Sequence, residues 1–169
     1  MHIVLIQSSL NPHSKTSIVL KAAEEKLKEK QISYTLLDLR DIELEFCDGK
    51  EMEEYNQQLQ NSYQEILDAD AVIIGMPVYC YSLSGVLKNF IDITSEAFEA
   101  KKIGIIENSS GIRSYMSASH LSHILFFESD AMTISPIIHT SKEDFDENLN
   151  LKNKRVFEKL EEMIENLIR

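Results

Sequence analysis

Short apolar runs alternate with longer amphipathic ones along this chain. Residues 2–6, "HIVLI", are continuous and mostly β-branched, the pattern of a strand buried on both faces. Over residues 15–30 the period changes. Val19, Ala23 and Leu27 recur every fourth position among charges, which predicts an amphipathic helix. Residues 32–39 read as a second strand, residues 40–50 are charged and irregular, and residues 51–68 read as a helix that is polar in its first half.

Residues 71–75, "AVIIG", make a third buried strand. The helix predicted after it places Val86, Leu87, Phe90 and Ile91 on one face. A fourth strand is expected at residues 102–108, a helix at 114–127, and a fifth strand, or a strand with an extension, at 131–138. The C-terminal helix has the cleanest stripe: Val156, Leu160, Met163, Ile164, Leu167 and Ile168.

Five β-α units in alternation imply a mostly parallel sheet with helices on both faces. In such a sheet ligands bind beyond the C-terminal ends of the strands. The segments to search are therefore residues 7–17, 76–84 and 108–113. At 169 residues, without an internal repeat or Pro/Gly linker, residues 1–169 are expected to form one domain.

Composition narrows the partners. Seventeen basic against 28 acidic residues give a net charge of −11 with His neutral, which argues against nucleic acid. No run approaches the ~20 apolar residues of a membrane span, and the N-terminus lacks the basic segment of a secretory leader. With two isolated cysteines, Cys47 and Cys80, a reduced cytoplasmic protein is expected.

The first segment, "QSSLNPHSKTS", sets hydroxyls, Asn11 and Lys15 between a strand and a helix N-terminus. Free amides and the positive end of a helix dipole suit an anion there. An N-cap at Ser14 or Thr16, with solvated loop around it, accounts for the same residues equally well. There is no GxxxxGK[ST] or GxGxxG pattern, and no cysteine in the loop for a cysteine-based phosphatase.

In the second segment Pro77 fixes the exit of the chain from the strand, and Ser82 or Ser84 is a natural helix cap. Tyr79 and Tyr81 suit a planar ring, or equally a core edge or an interface. His120 and His123 share a helix face, but no further residues complete a metal set. A lone Cys80 is more often a small hydrophobe than a reactive thiol.

Residues 69–92, "ADAVIIGMPVYCYSLSGVLKNFID", resemble the signature of the NADPH-dependent FMN reductase family. The matches are Ala69, Asp70, Pro77, Tyr79, Ser82, Ser84, Gly85, Leu87, Lys88, Ile91 and Asp92. The first loop is similar to that family's phosphate motif at Ser9, Ser14 and Thr16. Two positions depart from it: Ser8 stands where the family usually has Gly, and Asn11 where it usually has Arg. The related iron–sulfur branch is excluded, because Cys47 alone cannot build a four-cysteine cluster.

The resemblance implies an α/β, flavodoxin-like three-layer sandwich with a five-stranded parallel sheet of order 2-1-3-4-5. It implies FMN as cofactor, with NADPH or NADH as co-substrate. Ser9, Asn11, Ser14, Lys15 and Thr16 would lie at the phosphate. Pro77, Val78, Tyr79, Cys80, Tyr81 and Ser82 would lie at the ring, joined by Asn108, Ser109, Ser110 and Gly111. No catalytic acid or base is expected, since the flavin carries the chemistry. A small-molecule electron acceptor and a homodimer or homotetramer are also implied. Competing expectations are an electron carrier of the flavodoxin type, in keeping with the acidity, and a member that has lost flavin.

Overall fold

The computed structural model describes residues 1–111 and 116–169. Strand β1 (His2–Gln7) leads through a loop into helix α1 (Lys15–Glu29), then β2 (Ser33–Asp38). Helix α2 (Gln57–Asp68) precedes β3 (Ala71–Pro77), and α3 (Gly85–Thr94) precedes β4 (Lys102–Asn108). Helix α4 (Met116–Ser129), short strands β5 (Met132–Thr133) and β6 (Ile138–Thr140), and α5 (Lys154–Ile168) complete the order.

The strands pair in parallel in the order β2-β1-β3-β4-β5, with β6 also on β4. Alternation along each strand splits the core in two. Val4, Ile6, Val72, Ile74, Ile103 and Ile105 face α2, α3 and α4, which contribute Leu59, Phe90 and Leu121. Ile3, Leu5, Ile73 and Ile106 face α1 and α5, which contribute Leu20, Leu27, Leu160 and Met163. Each fully buried Leu or Ile stabilises the fold by about 1.5–3 kcal/mol. This is the expected three-layer sandwich.

Two expectations need correction. The fifth strand is broken in two, so the sheet has six strands. After Ile134 donates to the Ile103 carbonyl (2.8 Å), the chain passes Ser135–Pro136, a cis peptide. Pro136 has no N–H to give a ladder, and pairing resumes only at Ile106 with Ile138. The helix expected from residue 51 starts at Gln57. Met52–Glu54 is instead a single 3-10 turn, and Asn56 caps α2 by accepting from the Gln58 and Leu59 amides. The predicted start of α4 at Ser114 lies outside the described residues.

Candidate functional site

The strand register sets Gln7 beside Gly75 and Pro77 beside Asn108, so the loops after β1, β3 and β4 emerge together. Hydrogen bonds then tie them to one another. Ser8 donates both its amide (3.0 Å) and its hydroxyl (2.9 Å) to the Gly75 carbonyl. Ser84 donates to the Ser8 carbonyl (3.4 Å) while capping α3 through the Leu87 amide (3.2 Å). Val78 donates to Asn108 (2.8 Å), and Ser109 donates to Thr140 on β6 (3.0 Å).

In the first loop Ser9, Ser14 and Thr16 are buried. Ser14 is the N-cap of α1, accepting from the Ser17 amide at 3.2 Å. Among the described residues, the Lys15 and Thr16 amides of that first turn have no protein acceptor. Three hydroxyls and open amides at the positive end of a 15-residue helix form a donor set suited to a phosphate.

Two predicted members of this loop have other engagements. Asn11 is exposed and accepts from the His13 amide (2.9 Å), an Asx turn that shapes the loop. Lys15 holds its ammonium over the Phe145 ring, 5.3 Å from the centroid. The loop's other flank is pinned by Gln7, which donates to the Ser9 carbonyl (2.9 Å) and to Asp38 (3.0 Å). Burial pushes the Asp38 carboxyl up, but hydrogen bonds from Arg40 and Gln7 outweigh it and hold the group below the usual carboxylate range.

The loop after β3 is a tight turn. Tyr79 and Ser82 exchange amide–carbonyl bonds of 3.0 and 2.9 Å, and the two residues between them are left-handed, Cys80 at φ 50° and Tyr81 at φ 63°. Positive φ at both central positions is the type I′ pattern, normally filled by Asn and Gly. Tyr79 and Tyr81 are 53% and 59% exposed, so they do not serve a core edge within this chain. Ser82 meets His120 (Oγ to Nδ1, 3.1 Å), which leaves His120 a loop contact. Among the described residues no group of three or more His, Cys, Asp and Glu is placed to hold a metal.

After β4, Asn108 donates to the Thr140 hydroxyl (2.9 Å), and Ser109 donates to the Gly111 carbonyl (2.5 Å). Ser110 and Gly111 are exposed. A Cβ at Gly111 would meet nothing within 4 Å, so the described surroundings do not demand glycine there. Ile112 and Arg113, which end the predicted segment, lie outside the described residues.

Two features escaped the sequence reading. A cavity of about 580 Å³ opens between Leu10 and Pro12 of the first loop, the segment from Leu39 to Phe46, and the start of α3. It is mainly apolar and includes none of the predicted ring residues. Glu107, one residue before the end of β4, is 1% exposed and meets His139 of β6 at 2.9 Å. A lone carboxylate in "KIGIIEN" was a visible signal; its partner, 32 residues away, was not.

The family model described as NADPH-dependent FMN reductase matches residues 1–145. An NAD(P)H-dependent FAD/FMN reductase of Geobacillus thermodenitrificans is 34% identical over 51% of this chain and 47% of its own length. An FMN-dependent NADPH-azoreductase of Staphylococcus aureus is 32% identical over 70% of this chain and 65% of its own. The match thus spans about half to two thirds of these curated relatives.

Among solved structures, FerB, a flavoenzyme NAD(P)H:(acceptor) oxidoreductase from Paracoccus denitrificans, superposes with a TM-score of 0.79 at 17% identity, covering 99% of this chain and 97% of that one. An archaeal flavodoxin gives 0.70 at 11% identity, with both chains fully covered. At these identities the two structures establish the flavodoxin-like fold alone. The signature after β3, the hydroxyl-rich loop after β1 and the family match over most of the length agree: this chain belongs to the NADPH-dependent FMN reductase family.

Proposed function

We propose that this chain is an FMN-dependent NAD(P)H oxidoreductase that passes reducing equivalents from NAD(P)H through bound FMN to a small acceptor. The observation that carries the reading is the hydrogen-bonded union of three loops at the C-terminal ends of β1, β3 and β4, with open helix-terminal amides at one end. Bound FMN supplies the hydride chemistry; the protein supplies position and electrostatics. Ser9, Ser14 and Thr16, with Asn11 and Lys15 at the rim, hold the phosphate. Pro77 to Ser82 and Asn108 to Gly111 hold the ring. Residues 1–169 act as one FMN-binding unit.

The acceptor class is that of quinones, flavins and azo compounds. It is supported by the staphylococcal relative, whose name states an azoreductase activity. A homodimer or homotetramer is supported by Phe126 and Phe127, which α4 exposes by 56% and 81%. A cytoplasmic location is supported by two free, exposed thiols, Cys47 and Cys80.

A second reading, an electron carrier, is favoured by the net charge of −11. Anaerobic mixing of the FMN-loaded protein with NADPH or NADH separates the two. Rapid bleaching of the flavin absorbance is the expected result. A flavin that stays oxidised favours the carrier, and failure to bind added FMN overturns both.

A further inference from the structure

We propose that the cavity between the first loop, residues 39–46 and the start of α3 is a second binding site, for an uncharged aromatic molecule that carries a carbonyl group. At about 580 Å³ it has the volume of a small-molecule site. None of the residues assigned above to FMN lines it. Leu10 and Pro12 alternate along the chain with Ser9 and Asn11, so the two ligands share one loop without sharing a side chain. The site does not depend on the flavin reading.

Its wall is built in advance. Residues 41–50 form neither helix nor strand, yet side chains of α2, its cap and α3 fasten their backbone. Asn56 donates to the Glu43 carbonyl (2.8 Å), and Gln58 accepts from the Glu43 amide (2.7 Å). Asn89 donates to the Glu45 carbonyl (2.7 Å) and accepts from the Cys47 amide (3.0 Å). Leu10 and Phe46, on the two segments that bound the cavity, are left 53% and 85% exposed. Apolar surface kept in water around a concave space favours a ligand that buries it. Phe46 stacks on no other ring among the described residues, so its faces are open to an aromatic ligand.

Arg40 decides the charge of that ligand. Its Nε and Nη2 donate to the Asp38 carboxylate, so the guanidinium already has a counter-charge. Among the described residues its Nη1 has no acceptor. Asn89, the other polar side chain in the lining, is engaged in the wall. The cavity therefore offers a hydrogen-bond donor with little net positive charge, in a chain whose net charge is −11. A carbonyl oxygen matches such a donor. A carboxylate or sulfonate needs a cation that Asp38 already holds.

The test uses the whole chain and prodan, an uncharged naphthalene ketone, with binding read by equilibrium dialysis with and without FMN. Wild type is expected to bind prodan at least about tenfold more tightly than dansylate, a sulfonate of the same ring, and to keep prodan affinity within about threefold when FMN is present. Leu44→Trp and Val86→Trp, which fill the cavity, each weaken prodan by about tenfold or more. Arg40→Met keeps the apolar stem and loses the donors. It weakens prodan by about fivefold and dimethylaminonaphthalene, which lacks the ketone, by less than about twofold.

Prodan affinity unchanged in both Trp variants, or lost in Phe127→Ser on the exposed face of α4, overturns the site. Dansylate binding as tight as prodan binding overturns the uncharged ligand, and equal losses of both uncharged probes in Arg40→Met overturn the carbonyl contact. Displacement of prodan by FMN overturns the separation of the two sites. Wild type that binds prodan but no FMN supports this site while the flavin reading fails. Should one Trp variant fail to fold, the other decides.

Discussion

Residues 8–16 and residues 77–82 leave adjacent strands at the same end of the sheet, yet they are built in opposite ways. In the first loop the side chains turn inward: Ser8, Ser9, Ser14 and Thr16 are buried, and Ser8 and Ser14 are tied to backbone groups. In the second the backbone is held by a two-residue turn and the side chains turn outward, with both tyrosines more than half exposed. One loop spends its polar groups on fixing a backbone whose first-turn amides at Lys15 and Thr16 stay open. The other accepts left-handed backbone at two ordinary residues and thereby presents aromatic rings. The difference is what the proposed FMN site requires, a compact anion at one end and a flat ring at the other.

The largest effect is expected where the two loops share a support. A Cβ on Gly75 would lie 2.3 Å from Leu20 Cδ1 and 3.1 Å from Thr16 Cγ2, so Gly75→Val pushes α1 off the sheet. A loss of about 1–3 kcal/mol or more is expected in denaturant unfolding, together with weaker FMN binding. A variant as stable as wild type would show that α1 is not held this closely.

Next is Ser14→Ala, which removes the α1 cap and leaves the loop after β3 untouched. It should cost about 1 kcal/mol, read from the unfolding midpoint, and weaken FMN more than riboflavin, which lacks the phosphate. Equal weakening of both would mean that the first loop does not discriminate the anion.

The turn supplies the converse. Replacing Cys80→Asn and Tyr81→Gly installs the residues a type I′ turn prefers and should raise stability by up to ~1 kcal/mol. Affinity for FMN and riboflavin should fall alike, because a ring contact is lost. A gain in stability with no loss of either ligand would make Tyr81 a scaffold residue only.

The smallest effect is at Asp38, which supports the first loop through Gln7. Its folded carboxyl sits below the ordinary value, so its contribution is complete above the unfolded value of about 3.9 and is gone once the pH has fallen through the lower folded one. Asp38→Asn should be less stable at pH 7 by under ~1 kcal/mol, since the pair with Arg40 is partly solvated. The gap should close on acidification. A gap independent of pH would assign the effect to packing.

Much of this was legible along the chain. The continuous apolar runs at β1, β3 and β4 and the stripe of α5 announced themselves because each is buried by its own pattern. The start of α2 was misplaced because Glu51 to Tyr55 carry helix-tolerant residues, while Asn56 alone marks the cap. The turn at Cys80–Tyr81 was invisible for a different reason. Nothing in the pair favours positive φ, and the conformation is imposed by the Tyr79–Ser82 bonds. Pro77 to Ser82 were legible as a candidate site only through the order of residues around them. Glu107 and His139 meet only because β6 is laid beside β4, a fact of topology that local sequence does not carry.

The broken fifth strand has a consequence for how copies of this molecule meet. β5 and β6 offer two and three residues of ladder, separated by a proline that cannot donate. An incoming strand needs a longer uninterrupted row of amides and carbonyls to dock edge to edge. On that flank the sheet therefore refuses to template a neighbour, which protects the chain at high concentration from edge-to-edge fibrillar growth.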